Sequence, residues 1–142
     1  MSKKSAVQFH FLKACTLSNR VLLKKFIVLV FKKEGVSLAG LDIIFCDDAY
    51  LLELNRQFLQ HDFYTDILSF PLSGINEPLQ GEIYISIPRV RDNAKDSGSS
   101  FQTELHRVIF HGLLHFCGYK DKTKADLRKM RSMEDKYLMA YL

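Results

Sequence analysis

Residues 100–117 read SFQTELHRVIFHGLLHFC, a helical run with apolar side chains on nearly every side. Phe101, Leu105, Val108, Ile109, Leu113 and Phe116 recur at helical spacing and form one stripe. Phe110 and Leu114 occupy the far side. A helix that is apolar all round belongs at the centre of a fold, with other elements covering it. Polar residues inside it then need partners, which makes His111 and His115 the two most informative residues of the chain.

The rest of the sequence supplies the cover. The pattern predicts a strand at 7–11 and a helix from a Ser18 cap to about Lys33, stopped by Gly35. A strand at 41–46 follows, then a helix over 49–59 capped by Asp47 or Asp48. Strands at 66–70, ended by Pro71, and at 82–87 flank a loop at 73–80. Pro88 suits the first turn of a short helix that Gly98 ends, and Thr123 caps a last helix to about Tyr141. The order β, α, β, α, β, β, α, α, α predicts an α+β fold: a single small mixed sheet of about four strands packed with helices. At 142 residues, one domain over 1–142 is expected.

His111 and His115 are four apart, so they differ by only about 40° around the helix axis and reach one point in space. Gly118 follows three residues later, where a glycine reverses the chain at a helix end. Asp121 comes three residues after that. The pattern H-x-x-x-H-x-x-G-x-x-D has the ligand spacing of the metzincin signature, with Asp for the last His. Each feature has a bland role alone: a packed histidine, a helix stop, a cap. Together, on an otherwise apolar helix, they predict one zinc ion per chain held by His111, His115 and Asp121. Three protein ligands leave a fourth position open, as in a catalytic site. Metalloproteases carry a Glu directly after the first histidine as general base; here Gly112 stands in its place, which argues against peptide hydrolysis. His10 and His106 lie outside the spacing, and His106 reads as a surface or packing histidine. His61 falls in a loop and has the option of lining a cleft.

Three scattered cysteines, Cys15, Cys46 and Cys117, form no CxxC pair and read as reduced thiols in or near a core. The net charge of +4 is a mild preference for polyanions. No apolar run is long enough to span a bilayer, and no signal-peptide core follows the basic Met1-Ser2-Lys3-Lys4 start. A cytoplasmic location without membrane attachment is the expectation.

Three stretches resemble the YbeY family of bacterial rRNA-maturation endoribonucleases. HGLLHFCGYKD at 111–121 is similar to that family's HGxLHLxGYDH, YTDILSFP at 64–71 to PTDVLSFP, and LQGEIYIS at 79–86 to LGDIxIS. Leu54-Asn55 and Met130 fit as well, and the similarity runs from Leu41 to Tyr137. The resemblance implies a zinc-dependent, single-strand-specific endoribonuclease. It further implies action in 3′-end maturation of small-subunit rRNA and in ribosome quality control, with rRNA and the ribosome as partners. His111 and His115 match the first two zinc ligands. The family's third His falls at Asp121 and its preceding Asp at Lys120. The family's Arg, four residues after the Asn of the LN pair, is Leu59 here; Arg56, one turn earlier, is the candidate substitute for catalysis and RNA binding. Arg89, Arg91, Lys120 and Lys122 are candidates for phosphate contacts. Ser69 and the 66–70 backbone are candidates for the cleft wall. Phe63 and Tyr64 are candidates for base stacking, though packing on the sheet is the commoner role. Two other classes fit the same metal motif: a metalloprotease-like hydrolase with an unrecognised base, and a non-catalytic ribosome-assembly factor with a structural zinc.

Overall fold

The computed structural model describes residues 5–61 and 64–142. Its elements are β1 (Val7–Phe11), α1 (Arg20–Lys33), β2 (Leu38–Cys46), α2 (Asp48–Leu59), β3 (Ile67–Pro71), β4 (Leu79–Ser86), α3 (Ile87–Ser97), α4 (Phe101–Phe116) and α5 (Lys124–Tyr141). The four strands form one mixed sheet in the order β1-β2-β4-β3. β1 and β4 run parallel to β2, and β3 runs antiparallel to β4. The fold is α+β, as the pattern predicts.

Alternation along the strands sorts the residues onto two faces. Leu41, Ile43, Phe45, Ile83 and Ile85 join the main core with α1, α3, α4 and α5. Cys46 and Leu68, with Tyr84 and Phe70 against them, pack with Leu51 and Leu54 of α2 on the other face. Covered on both sides, β2 ends in the nearly continuous apolar run Ile43–Cys46. On α4, Leu105, Ile109, Phe110, Leu113 and Leu114 are all fully buried, which is the central placement its composition demands.

At Gly112, α4 lies close against the sheet. A Cβ there would lie 2.8 Å from Ile67 Cδ1 and 2.9 Å from Ile83 Cδ1. The glycine therefore serves the helix–sheet contact, and a longer side chain at this position has no room without displacing both isoleucines.

Several boundaries differ from the sequence reading. Asn19, not Ser18, is the N-cap of α1; it is left-handed, with φ 54°, and makes no side-chain capping bond. β2 begins at Leu38 and β4 at Leu79, because Leu38 and Leu79 pair across an irregular register before Gly40. The expected loop at 73–80 therefore shortens at its far end. Ile87 belongs to α3, whose N-cap Ser86 accepts from Arg89 N–H. Pro71 ends β3 as a strand residue, a position an edge strand tolerates because its missing N–H faces no partner. Of the two candidates for α2, Asp47 is the cap; Ser100 caps α4, and Thr123 caps α5 as read, with a full capping box to Asp126.

Candidate metal centre

The last turn of α4 closes in a Schellman motif. Gly118, at φ 97°, donates its N–H to the His115 carbonyl, and Tyr119 N–H reaches back to the Leu114 carbonyl. The chain reverses there and carries Asp121 back towards the two histidines. His111 Nε2 and His115 Nε2 stand 3.0 Å apart. Asp121 Oδ2 lies 3.1 Å from His115 Nε2 and 3.5 Å from His111 Nε2.

The outer nitrogens decide what this triangle is. His115 Nδ1 lies 3.1 Å from the Tyr119 carbonyl, which only accepts, so Nδ1 carries the proton. His111 Nδ1 lies 2.7 Å from Glu134 Oε2, a carboxylate oxygen, and likewise donates. With Nδ1 donating, a neutral ring at either position turns a bare Nε2 lone pair towards the other and towards a carboxylate oxygen. Three lone pairs at this range repel unless a proton or a cation sits among them. The three separations bracket the ~3.3 Å ligand–ligand edge of a tetrahedral zinc site with bonds near 2.0–2.1 Å. The donor set, two imidazoles and one carboxylate, fits zinc.

A second layer holds the rings. Glu134, on α5, is buried; besides His111 it accepts from Arg107 at 3.1 Å, and Arg107 also pairs with Asp135 at 2.8 Å. Burial opposes charge on His111, but the Glu134 hydrogen bond and the charges of Glu134, Asp66 and Asp121 outweigh it and raise its pKa. A proton and a metal thus compete for the same lone pairs.

His111, His115 and Asp121 open onto a cleft of about 440 Å³ walled by Thr65, Asp66, Ile67, Leu68, Ser69 and Pro71 from β3 and its approach, and by Phe116. Asp66 is the other titratable group lining this cleft among the described residues. Burial raises its pKa, against the opposing pull of the His111 charge and of its hydrogen bonds, including one from Asn93 Nδ2 at 3.1 Å. Sequence reasoning put the Asp66 backbone in the cleft wall but gave its side chain no role, and it missed Glu134. Asp66 carried a signal, standing within the YTDILSFP segment; Glu134 carried none, as one acid in a charged helix.

The basic candidates are not gathered at this cleft. Arg56, on α2, sits 3.9 Å from Glu53 with its side chain half exposed. Arg89 holds Asp48 through two nitrogens, at 3.0 and 2.9 Å, and stacks over Tyr64 at 4.7 Å. Arg91 lies over the Phe101 ring at 4.5 Å. Lys120 and Lys122 are exposed on either side of Asp121 in the chain. Ser69 lines the cleft; Phe63 lies outside the described residues. His106 is buried, with Nδ1 on the Gln102 carbonyl at 2.6 Å and its ring against Tyr141, and His10 pairs with Asp42 on the surface. The three cysteines are unpaired, and burial pushes Cys46 and Cys117 up to about 12, leaving no activated thiol. No helix among the described residues is long and apolar enough to cross a membrane.

A family model described as Endoribonuclease YbeY matches residues 12–142. A protein of Cytophaga hutchinsonii named endoribonuclease YbeY is 48% identical over 119 residues, covering 84% of this chain and 83% of its own. One of Flavobacterium johnsoniae with the same name is 42% identical over 135 residues, covering 95% and 96%. Among solved structures, the solution structure of a Thermotoga maritima protein superposes with a TM-score of 0.61 at 28% identity, covering 94% of this chain and 89% of that one.

Proposed function

This chain belongs to the YbeY family of endoribonucleases, and on that premise we propose that it cleaves single-stranded RNA with one zinc ion held by His111, His115 and Asp121. The observation that carries the metal is the convergence of two Nε2 lone pairs and one carboxylate oxygen, with both Nδ1 protons held on outward acceptors. Asp121 replaces the histidine of the family pattern, so the site carries one more negative charge than a three-histidine site.

Such a cation supplies Lewis-acid polarisation of a phosphoryl oxygen or acidification of a water molecule. The residues around it do the rest. The β3 wall and Phe116 give the substrate strand an edge to lie along. Asp66 takes the proton from the attacking group, whether water or the RNA 2′-hydroxyl, and Asn93 fixes one of its oxygens for that task. Arg56 contributes to phosphate binding and charge stabilisation from α2, and Arg89, Arg91, Lys120 and Lys122 form an outer basic surface. The physiological substrate on this reading is the 3′ end of small-subunit rRNA, cleaved in the cytoplasm during ribosome maturation and quality control.

The protease alternative loses ground at Gly112, which offers no base side chain and where a Cβ would press on Ile67 and Ile83. The structural-zinc alternative sits poorly with ligands that face an open cleft.

The test is cleavage of a labelled single-stranded RNA by wild-type protein and His115→Ala, each with and without chelator, with metal content measured and folding checked by circular dichroism. Metal-dependent cleavage lost in a folded His115→Ala protein supports the reading. Undiminished cleavage in the metal-free protein would sink it. A 2′,3′-cyclic phosphate on the product assigns attack to the 2′-hydroxyl, and a 3′- or 5′-monophosphate released directly assigns it to water.

A further inference from the structure

Glu34, the C-cap of α1, lies far from the metal motif in sequence yet is tied to it through one residue. Its Oε1 accepts from the Tyr119 hydroxyl at 2.7 Å, and its Oε2 accepts from the Tyr137 hydroxyl at 2.5 Å. Tyr119 is the residue whose N–H completes the Schellman turn and whose carbonyl receives the His115 Nδ1 proton. Beyond it, residues 120–122 make no backbone–backbone hydrogen bond among the described residues until α5 starts from its Thr123 cap. Tyr119 is therefore the last fixed point of the chain before Asp121.

We propose that Glu34 is a positioning residue for the metal: by holding the Tyr119 hydroxyl it fixes the Tyr119 carbonyl that orients His115 and the bend that delivers Asp121. The chemistry suits the task. Burial disfavours the Glu34 carboxylate, but the two tyrosine hydrogen bonds, helped by Lys136 and Lys129, prevail and lower its pKa. A charge-assisted bond of this kind is stronger than a neutral one and directional. Partners one layer behind metal ligands commonly set affinity by 10–100-fold.

The inference rests on the zinc reading above, and the two tyrosines allow them to be separated. Tyr119→Phe and Tyr137→Phe each delete one hydroxyl donated to Glu34, and only the first touches the metal turn. Zinc dissociation constants are measured by competition with a chromophoric chelator, alongside the thermal unfolding of each metal-free protein. The expected result is a roughly 10-fold loss of zinc affinity for Tyr119→Phe and less than about 2-fold for Tyr137→Phe. In metal-free Tyr119→Phe, imidazole nitrogen NMR should also show His115 losing its fixed Nδ1–H tautomer, a signature that lowered stability alone does not produce. Glu34→Gln, which keeps one acceptor oxygen, should fall between wild type and Glu34→Ala. Equal zinc affinity for the two phenylalanine variants, with the His115 tautomer intact in both, overturns the positioning role. A wild-type protein that binds no zinc overturns the metal reading itself.

Discussion

The His111–His115–Asp121 cluster and the basic candidates are built on different terms. At the cluster, both histidines have their second nitrogen engaged: His111 on Glu134, His115 on the Tyr119 carbonyl. Those partners are themselves held, Glu134 by Arg107 and Tyr119 by Glu34. The basic residues show no such convergence. Arg89 is committed to Asp48 and Tyr64, Arg91 covers Phe101, and Lys120 and Lys122 stand in solvent. A reacting centre must be held to a fraction of an ångström, whereas a polyanion is steered by charge that tolerates loose placement. The contrast predicts that substitutions at the cluster act through metal and rate. Those on the basic surface should act through salt-dependent binding or through stability.

The largest effect should come from removing a ligand. His115→Ala leaves a two-ligand site and should abolish stoichiometric zinc, with RNA cleavage falling on the order of 10³-fold or more, since Lewis-acid catalysis supplies several kcal/mol. His115 is only partly buried, so the fold should survive. Metal analysis, cleavage and circular dichroism on one preparation check this. A variant that unfolds would instead mark the zinc as structural.

Next comes the layer behind the ligands. Glu134→Gln keeps an oxygen for the His111 proton but removes the charge, and should weaken zinc binding about 10–100-fold. Glu134→Ala should also lower stability by about 1–3 kcal/mol. Arg107, largely buried, would keep Asp135 as its main carboxylate partner. Chelator competition and denaturant unfolding separate the two effects. If Glu134→Gln binds zinc as wild type does, the cluster is less tightly organised than the comparison holds.

What the sequence disclosed follows the same division. The central helix is legible because α4 is apolar on every side, and the ligand trio because helix geometry and one glycine determine where three side chains can meet. Glu134 is not legible: on a helix rich in Lys, Arg and Asp, an acid reads as solvent-facing until α5 is placed against α4. Glu34 escapes for the same reason, at the end of a lysine-rich helix. Ser18 and Asn19 are equally good caps by residue type, and residue type alone does not choose between them; the chain enters α1 through a left-handed Asn19. The extra length of β2 and β4 comes from pairing Leu38 with Leu79, a non-local register that no local pattern encodes. The resemblance of HGLLHFCGYKD supplied the activity class, which spacing alone left open between hydrolases.

Arg56 tests the boundary between the two regions. Its side chain is half exposed and its 3.9 Å approach to Glu53 is worth little in water. Arg56→Ala is the probe, with folding checked by circular dichroism. If Arg56 takes the place of the family's arginine, cleavage should fall about 10-fold at saturating RNA, one good charge-assisted contact in the transition state. A rate unchanged at saturating RNA would confine it to the outer surface.

The smallest effects should separate two kinds of basic residue. Arg89 meets Asp48 with paired nitrogens on a partly buried surface, and Asp48 also accepts from Ser86 at 2.9 Å. Arg89→Ala removes a bidentate pair that ties α3 to α2 and should lower the unfolding midpoint slightly, the exposure of both groups limiting the loss. Lys120→Ala and Lys122→Ala leave no such partner behind among the described residues and should not move the unfolding midpoint. Each lysine that meets a phosphate should instead lower the slope of log K against log salt by roughly 0.7 for single-stranded RNA. Binding titrations across a salt series, paired with urea unfolding, place each residue on one axis or the other. If Arg89→Ala shifts the salt slope and spares stability, its pairing with Asp48 opens on RNA binding and the basic surface extends across α3. If the lysine variants leave the slope unchanged, the positive charge around Asp121 serves the cluster's own balance and the RNA path runs elsewhere.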